Sequence, residues 1–201
     1  MYRVLALALI AVLTPLAAPA ASAPTQTVVL AGGCFWGMQG VFERLRGVTD
    51  TTVGFSGGNA VTAHYEIVST GETGHAESVK ITYDPRVISF DRLLDVYFLV
   101  AHDPTELNRQ GPDDGTQYRS AIFYTTPAQR AASLAYVASL TKRHIYDAPI
   151  VTQVVPFHAF YPAEAYHQHY MDHNPNDGYI VQNDLPKVQS LEKRFPQLVK
   201  R

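Results

Sequence analysis

Val28-Val29-Leu30-Ala31-Gly32-Gly33-Cys34-Phe35-Trp36-Gly37 holds the only cysteine and the only tryptophan of the chain, two positions apart. The four apolar residues read as a buried strand, while Phe35, Met38, Val41, Phe42 and Leu45 fall on one face of a helix. The glycines between them mark the turn that joins strand to helix. A thiol at such a turn sits where unpaired backbone N–H groups and the helix dipole favour an anion. This reading expects Cys34 to be a thiolate and hence a nucleophile.

Outward from that turn, period and turn chemistry predict strands at 27–31, 48–55, 77–83, 120–124 and 151–155. Helices are expected at 35–45, after a Ser89 cap with Phe90, Leu93, Leu94, Tyr97 and Phe98 on one face, at 127–142 behind Pro127, and at about 163–173. The stretch 102–116, with Pro104, Gly111, Pro112 and Gly115, is expected to be loop. The order β-α-β-β-α-β describes an α+β domain, a mixed sheet with helices packed on it. The tail from about 183 is polar, holding one short helix near 187–195 or lying loose. No internal repeat or linker divides the chain.

The 201 residues, 46% of them apolar, are one domain's worth of chain with enough apolar side chains for a real core. The start is different in kind. Arg3, the apolar run Val4 to Leu13, Pro15 and the small residues Ala17 to Ala23 have the composition of a secretory signal peptide, too short to span a bilayer. Residues 1–23 are therefore read as signal and 24–201 as the domain. Cleavage after Ala20 or Ser22 avoids Pro24 beside the scissile bond, and an uncleaved anchor is the alternative. The reading places the mature protein in a periplasm or outside the cell. A net charge of −2 asks for neither nucleic acid nor an anionic membrane. A lone cysteine in an exported chain is a reactive thiol or half of an intermolecular bridge.

In the strand 77–83, Val79, Ile81 and Tyr83 face one way and Ser78, Lys80 and Thr82 the other. Glu77 falls on the apolar face, where loss of water raises a carboxyl's pKa and makes it a general acid. Curling out to solvent at the strand end is the competing outcome. Several of the 12 tyrosines lie in turn-rich segments: Tyr65, Tyr118, Tyr161, Tyr166 and Tyr170. Their phenols can steady a developing oxyanion if they converge on Cys34, and are packing residues otherwise. His167, His169 and His173 offer a rival chemistry, with His169 and His173 at the i, i+4 spacing of zinc ligands. No metalloprotease pattern accompanies them, and solvated surface histidines explain them better. A Cys–His pairing with Cys34 has no supporting local signature.

Gly33-Cys34-Phe35-Trp36-Gly37 resembles the motif of the A-type peptide methionine sulfoxide reductases. The resemblance continues through Gly54-Phe55-Ser56-Gly57-Gly58, His64-Tyr65-Glu66, Thr73-Gly74-His75-Ala76-Glu77 and His102-Asp103-Pro104-Thr105. It runs on through Asn108 to Asp113 and Gly115 to Ser120, and closes with Phe160, Ala163-Glu164, Tyr166-His167-Gln168 and Tyr170. It implies a two-layer α+β domain of ferredoxin-like topology. It also implies roles: Cys34 attacks the sulfoxide sulfur, Glu77 protonates the departing oxygen, and Tyr65 and Tyr118 hydrogen-bond that oxygen. Phe35 and Trp36 would box the S-methyl group, with Asp113, Tyr170 and His167 as further substrate-site positions. The product is methionine and a Cys34 sulfenic acid.

One departure stands out. Many relatives carry a second cysteine near the C-terminus, where this chain reads Asn176-Asp177-Gly178-Tyr179-Ile180. The implied enzyme is then a monomeric, cofactor-free reductase of oxidised proteins, and of free methionine sulfoxide, regenerated by an external thiol, either a thioredoxin-like protein or a small thiol. Phe55, where relatives often have tyrosine, is a lesser departure. Two other readings compete: a thiol peroxidase using Cys34, and an exported metal-binding protein using His167, His169 and His173. Trp36 separates the first of these, since a peroxide needs no indole wall.

Overall fold

A computed structural model describes residues 24–200. The expected signal peptide, 1–23, lies outside the described residues. β1 (Gln26–Ala31), α1 (Phe35–Phe42) and β2 (Val48–Ser56) open the domain, followed by α2 (Tyr65–Val68), β3 (Ala76–Tyr83) and α3 (Phe90–Val96). A two-stranded ribbon, β4 (Arg109–Gln110) and β5 (Asp113–Asp114), precedes β6 (Ala121–Tyr124), α4 (Pro127–Lys142) and β7 (Gln153–Pro156). β8 (Tyr161–Pro162), α5 (Tyr170–His173) and α6 (Leu185–Arg194) complete the chain.

The sheet runs β7-β6-β1-β3-β2-β8. Its central four strands, β6-β1-β3-β2, pair antiparallel in the order of a ferredoxin-like fold, and β7 joins β6 in parallel, so the sheet is mixed. Alternation decides the faces. Val28 and Leu30 of β1, Val53 and Phe55 of β2, and Val79, Ile81 and Tyr83 of β3 are buried with Phe35, Met38, Val41 and Phe42 of α1, Leu93 and Leu94 of α3, and Val188 and Leu191 of α6. Val29, Ala31, Ala121 and Phe123 point to the other face, where Phe157 and Phe160 cover them. This is the two-layer α+β domain expected.

The register then brings the chemistry to one end. Leu30 of β1 pairs with Val79 of β3, so two residues further on the antiparallel ladder sets Gly32 level with Glu77. Gly33 takes φ +88, and a Cβ there would lie 2.5 Å from the side chain of Gln110. Only glycine turns the chain into α1 at that point without strain.

The differences from expectation have local causes. α1 stops at Phe42 rather than 45. The helix after Ser89, whose hydroxyl accepts from the Arg92 N–H, ends at Val96 in a wider helical turn at Tyr97–Ala101. The helix expected at 163–173 breaks in two, because His169 adopts φ +53. The ribbon in the 102–116 loop went unpredicted, its strands being two residues long. The tail is not loose. Ile180 and Asp184 are buried, and α6 carries Val188 and Leu191 into the core beside α1.

Candidate active site

Cys34, Phe35, Trp36, Tyr65, Glu77, Asp113, Tyr118 and Tyr179 line a recess of about 210 Å3. Larger hollows of about 430 Å3 beside Arg44 and Lys200 and about 400 Å3 beside Arg119 and His158 carry no cysteine. α1 supplies the floor of the site, β3 its carboxyl, α2 and the turn before β6 two phenols, and β5 and the tail the remaining wall.

Glu77 faces inward and is 2% exposed. Its Oε2 accepts the Phe35 N–H at 3.0 Å, an otherwise unpaired donor at the start of α1. Burial outweighs that hydrogen bond and, with Asp113 and Asp184 adding like charge, lifts the carboxyl from 4.5 to about 8. Glu77 therefore carries its proton at neutral pH. Tyr65 and Tyr118 are both pushed up, first by burial and then by the Glu77 charge, so each remains an O–H donor.

The thiol departs from expectation. Burial pushes Cys34 well above its ordinary value, and Glu77 and Asp184 add to that, while the Trp36 backbone N–H and Lys187 pull it down. The helix start alone does not make a thiolate, because a cysteine only 8% exposed has lost most of its water.

Trp36 is held on several sides. Tyr170 stacks on it at 3.8 Å and 10° between planes, Tyr179 meets it edge-on at 6.0 Å, and its indole N–H donates to His167 Nδ1 at 3.1 Å. His167 and Tyr170, expected to touch substrate, both contact the indole, and His167 also packs on Phe35 and Tyr65 at 5.1 and 4.3 Å, ring to ring, so the two hold the walls of the recess. Burial pushes His167 down, so the ring is neutral and its Nδ1 serves as acceptor. Phe35 lies 6.4 Å from Tyr65 and 5.9 Å from Phe55, ring centre to ring centre, which gives the recess an apolar side.

With the indole so constrained, Trp36→Ala is expected to lower kcat/KM by about 10²-fold through lost positioning. Cys34 should still react with a small alkylating agent, and wild-type fluorescence, from the chain's single indole, should change when substrate is added. Normal turnover by the variant together with unaltered fluorescence would make Trp36 a packing residue.

The three histidines of the metal reading do not converge. His167 is turned to Trp36, His169 faces Glu43 Oε2 at 2.8 Å, and His173 sits 6.4 Å from His169, ring to ring. His169 is the left-handed cap of α5 rather than a residue of its first turn, and among the described residues no three such side chains gather as a metal site. Tyr161 packs on His75, and Tyr166 is largely exposed, so neither reaches the recess. Sequence reasoning missed Tyr179, whose hydroxyl donates to Asp113 Oδ2, and Glu164, whose Oε1 accepts the Tyr65 N–H at 3.1 Å and so anchors α2. It also missed Asp184 and Lys187. No periodicity flags residues 176–187; the one pointer was that this segment replaces the second cysteine of relatives.

Comparison with known proteins agrees with this arrangement. The family model for peptide methionine sulfoxide reductase matches residues 26–198. Peptide methionine sulfoxide reductase MsrA 2 of Mesorhizobium japonicum is 53% identical over 174 residues, covering 87% of this chain and 89% of its own. The MsrA 2 of Synechocystis is 48% identical over 88% of this chain and 82% of its own. Among solved structures, reduced Mxr1 of Saccharomyces cerevisiae superimposes with a TM-score of 0.71 at 34% identity, over 76% of this chain and 87% of that one. Methionine sulfoxide reductase A of Corynebacterium diphtheriae gives 0.67 at 36% identity, over 77% of each. With the buried thiol, the neutral carboxyl and the indole wall in register with that likeness, the chain belongs to the A-type peptide methionine sulfoxide reductases, oxidoreductases that return methionine sulfoxide to methionine.

Proposed function

We propose that Cys34 is the sole redox centre and that the neutral Glu77 carboxyl beside it supplies the proton that lets the sulfoxide oxygen leave. The observation that carries this is Glu77, buried at the start of α1 and protonated up to about pH 8. Methionine sulfoxide offers an electrophilic sulfur and a poorly departing oxygen. Tyr65 and Tyr118, as phenols, donate hydrogen bonds to that oxygen, and Glu77 gives it a proton. The Cys34 sulfur attacks and takes the protonated oxygen, and the thiol's own proton returns to the Glu77 carboxylate. The products are the thioether and Cys34 sulfenic acid, with two electrons passed from cysteine to substrate. Phe35 and Trp36 house the S-methyl group. His167, Tyr170 and Tyr179 hold the indole, and Asp113 is held by Tyr179.

The chain's lone cysteine supports regeneration from outside. A thiol condenses with the sulfenic acid to release water and leave a mixed disulfide, and a second thiol frees Cys34. A thioredoxin-like protein or a small thiol fills that role, and the substrates are oxidised proteins and free methionine sulfoxide. The A-type assignment supports the S epimer at sulfur, since the two reductase classes divide the epimers. We read the enzyme as a monomer exported by residues 1–23, a reading that rests on their composition. No helix among the described residues is long and apolar enough to cross a membrane.

The test separates the first half-reaction from regeneration. Without added thiol, one methionine per enzyme is expected from an S-sulfoxide peptide and none from the R epimer. Mass spectrometry should then find one extra oxygen on Cys34. With dithiothreitol, turnover should continue and depend on its concentration, because regeneration is bimolecular. More than one methionine per enzyme with no thiol present would contradict the scheme. Faster consumption of hydroperoxide than of sulfoxide would favour the peroxidase reading.

A further inference from the structure

Asp184, in a tail that looks solvated from its composition, is fully buried. Its Oδ1 meets Lys187 Nζ at 3.0 Å, while Oδ2 is buried with no hydrogen-bond partner. The pair is wedged against the first turn of α1. A Cβ at Gly37 would lie 2.1 Å from Asp184 Oδ1 and 3.0 Å from Lys187 Nζ. Gly37 is three positions after Cys34, so the pair occupies the end of α1 that carries the helix's partial positive charge. That end already serves Glu77 through the Phe35 N–H and the sulfur through the Trp36 N–H.

We propose that Lys187 is a positioning residue for the thiol: its ammonium neutralises Asp184 beneath the first turn of α1, leaving the positive helix end to the Cys34 sulfur. The inference rests on Cys34 being the reacting group. Among the described residues, the titratable groups facing the thiol besides that pair are Glu77 from β3, Asp113 from β5, Tyr65 from α2, Tyr170 from α5, and Tyr118 and Tyr179 from the adjoining turns. All are neutral or negative. His102, buried near Lys187, is pushed down by burial to about 3 and carries no charge. Among the described residues, the Lys187 ammonium draws the thiol's pKa down and the Asp184 carboxylate pushes it up. An uncompensated carboxylate in that position would hold the thiol protonated and slow every reaction of the sulfur.

The experiment is the pH dependence of Cys34 alkylation by iodoacetamide in the reduced full chain, for wild type, Lys187→Met, Lys187→Arg and Asp184→Asn. Lys187→Met is expected to move the profile to higher pH, slowing alkylation at pH 7.5 by about tenfold for a one-unit shift. Lys187→Arg should restore the wild-type profile, and Asp184→Asn should move it to lower pH. A structural role would shift Lys187→Met and Asp184→Asn in the same direction, or neither, and either result overturns the proposal. If Lys187→Met fails to fold, the near-isosteric Asp184→Asn decides alone: a downward shift supports the proposal, and none or an upward one overturns it. Alkylation needs no sulfoxide, so failure here is distinct from failure of the reductase reading.

Discussion

Cys34→Ser is expected to reduce methionine sulfoxide no faster than the reductant alone. The reason is stoichiometric as well as kinetic. The oxygen leaving the substrate must be taken up by an atom that can be oxidised, and sulfur accepts it as a sulfenic acid while a hydroxyl oxygen has no such state. A serine hydroxyl in the same place is also far harder to ionise than even a thiol raised by burial. The chain holds no second cysteine to stand in. Binding should survive, because Phe35, Trp36 and the phenols are untouched, and the fluorescence of Trp36 should still respond to substrate. The measurement is steady-state turnover of an S-sulfoxide peptide with dithiothreitol. Appreciable turnover by the serine variant would sink the mechanism.

Glu77→Gln should slow the chemical step by about 10²–10⁴-fold, the usual worth of a placed general acid, while leaving substrate affinity much less changed. The amide keeps the acceptor for the Phe35 N–H but has no acidic proton to give. Single-turnover rates against pH read the difference. Wild type should lose rate as Glu77 ionises near pH 8, and the variant should not share that fall.

A second effect of the same change has the opposite sign. The folded carboxyl holds its proton up to about pH 8, whereas in the unfolded chain it loses it near 4.5. Between those values the unfolded state binds fewer protons, so wild-type stability falls as pH rises through the window and levels off above it. Glu77→Gln removes that loss. Its stability relative to wild type should be nearly unchanged below pH 4.5 and should improve by on the order of 4 kcal/mol by pH 8. Thermal unfolding of both proteins at pH 4.5 and pH 8 reads this directly. An unchanged single-turnover rate and parallel melting curves would make Glu77 a structural residue at a strand end.

Much of this molecule was readable along the chain because its signals are local. The alternation in 77–83 and the helical spacing of Phe35, Met38, Val41 and Phe42 report burial directly, since one face of each element meets the same core. Ser89 and Pro127 mark helix starts by satisfying or lacking a backbone donor, and both did so where expected. Gly32-Gly33 announced the turn that aims Cys34.

Convergence was beyond any local signal. Whether Glu77 points in or out depends on β1 pairing with β3 in a register that sets it beside the α1 entry, a contact across 42 positions of sequence. His167 and Tyr170 could be matched to an active site by likeness, but only packing shows that they grip Trp36. The tail misled because Asp184 and Lys187 are polar by composition, and a buried ion pair is invisible until its partner surface at Gly37 is known. The amino-acid sequence determined the strands, the helices and the single thiol, because those follow from period, capping and residue identity. The tertiary structure decided the protonation of that thiol and its acid, because desolvation and the fields of distant charges exist only once the chain has closed around them.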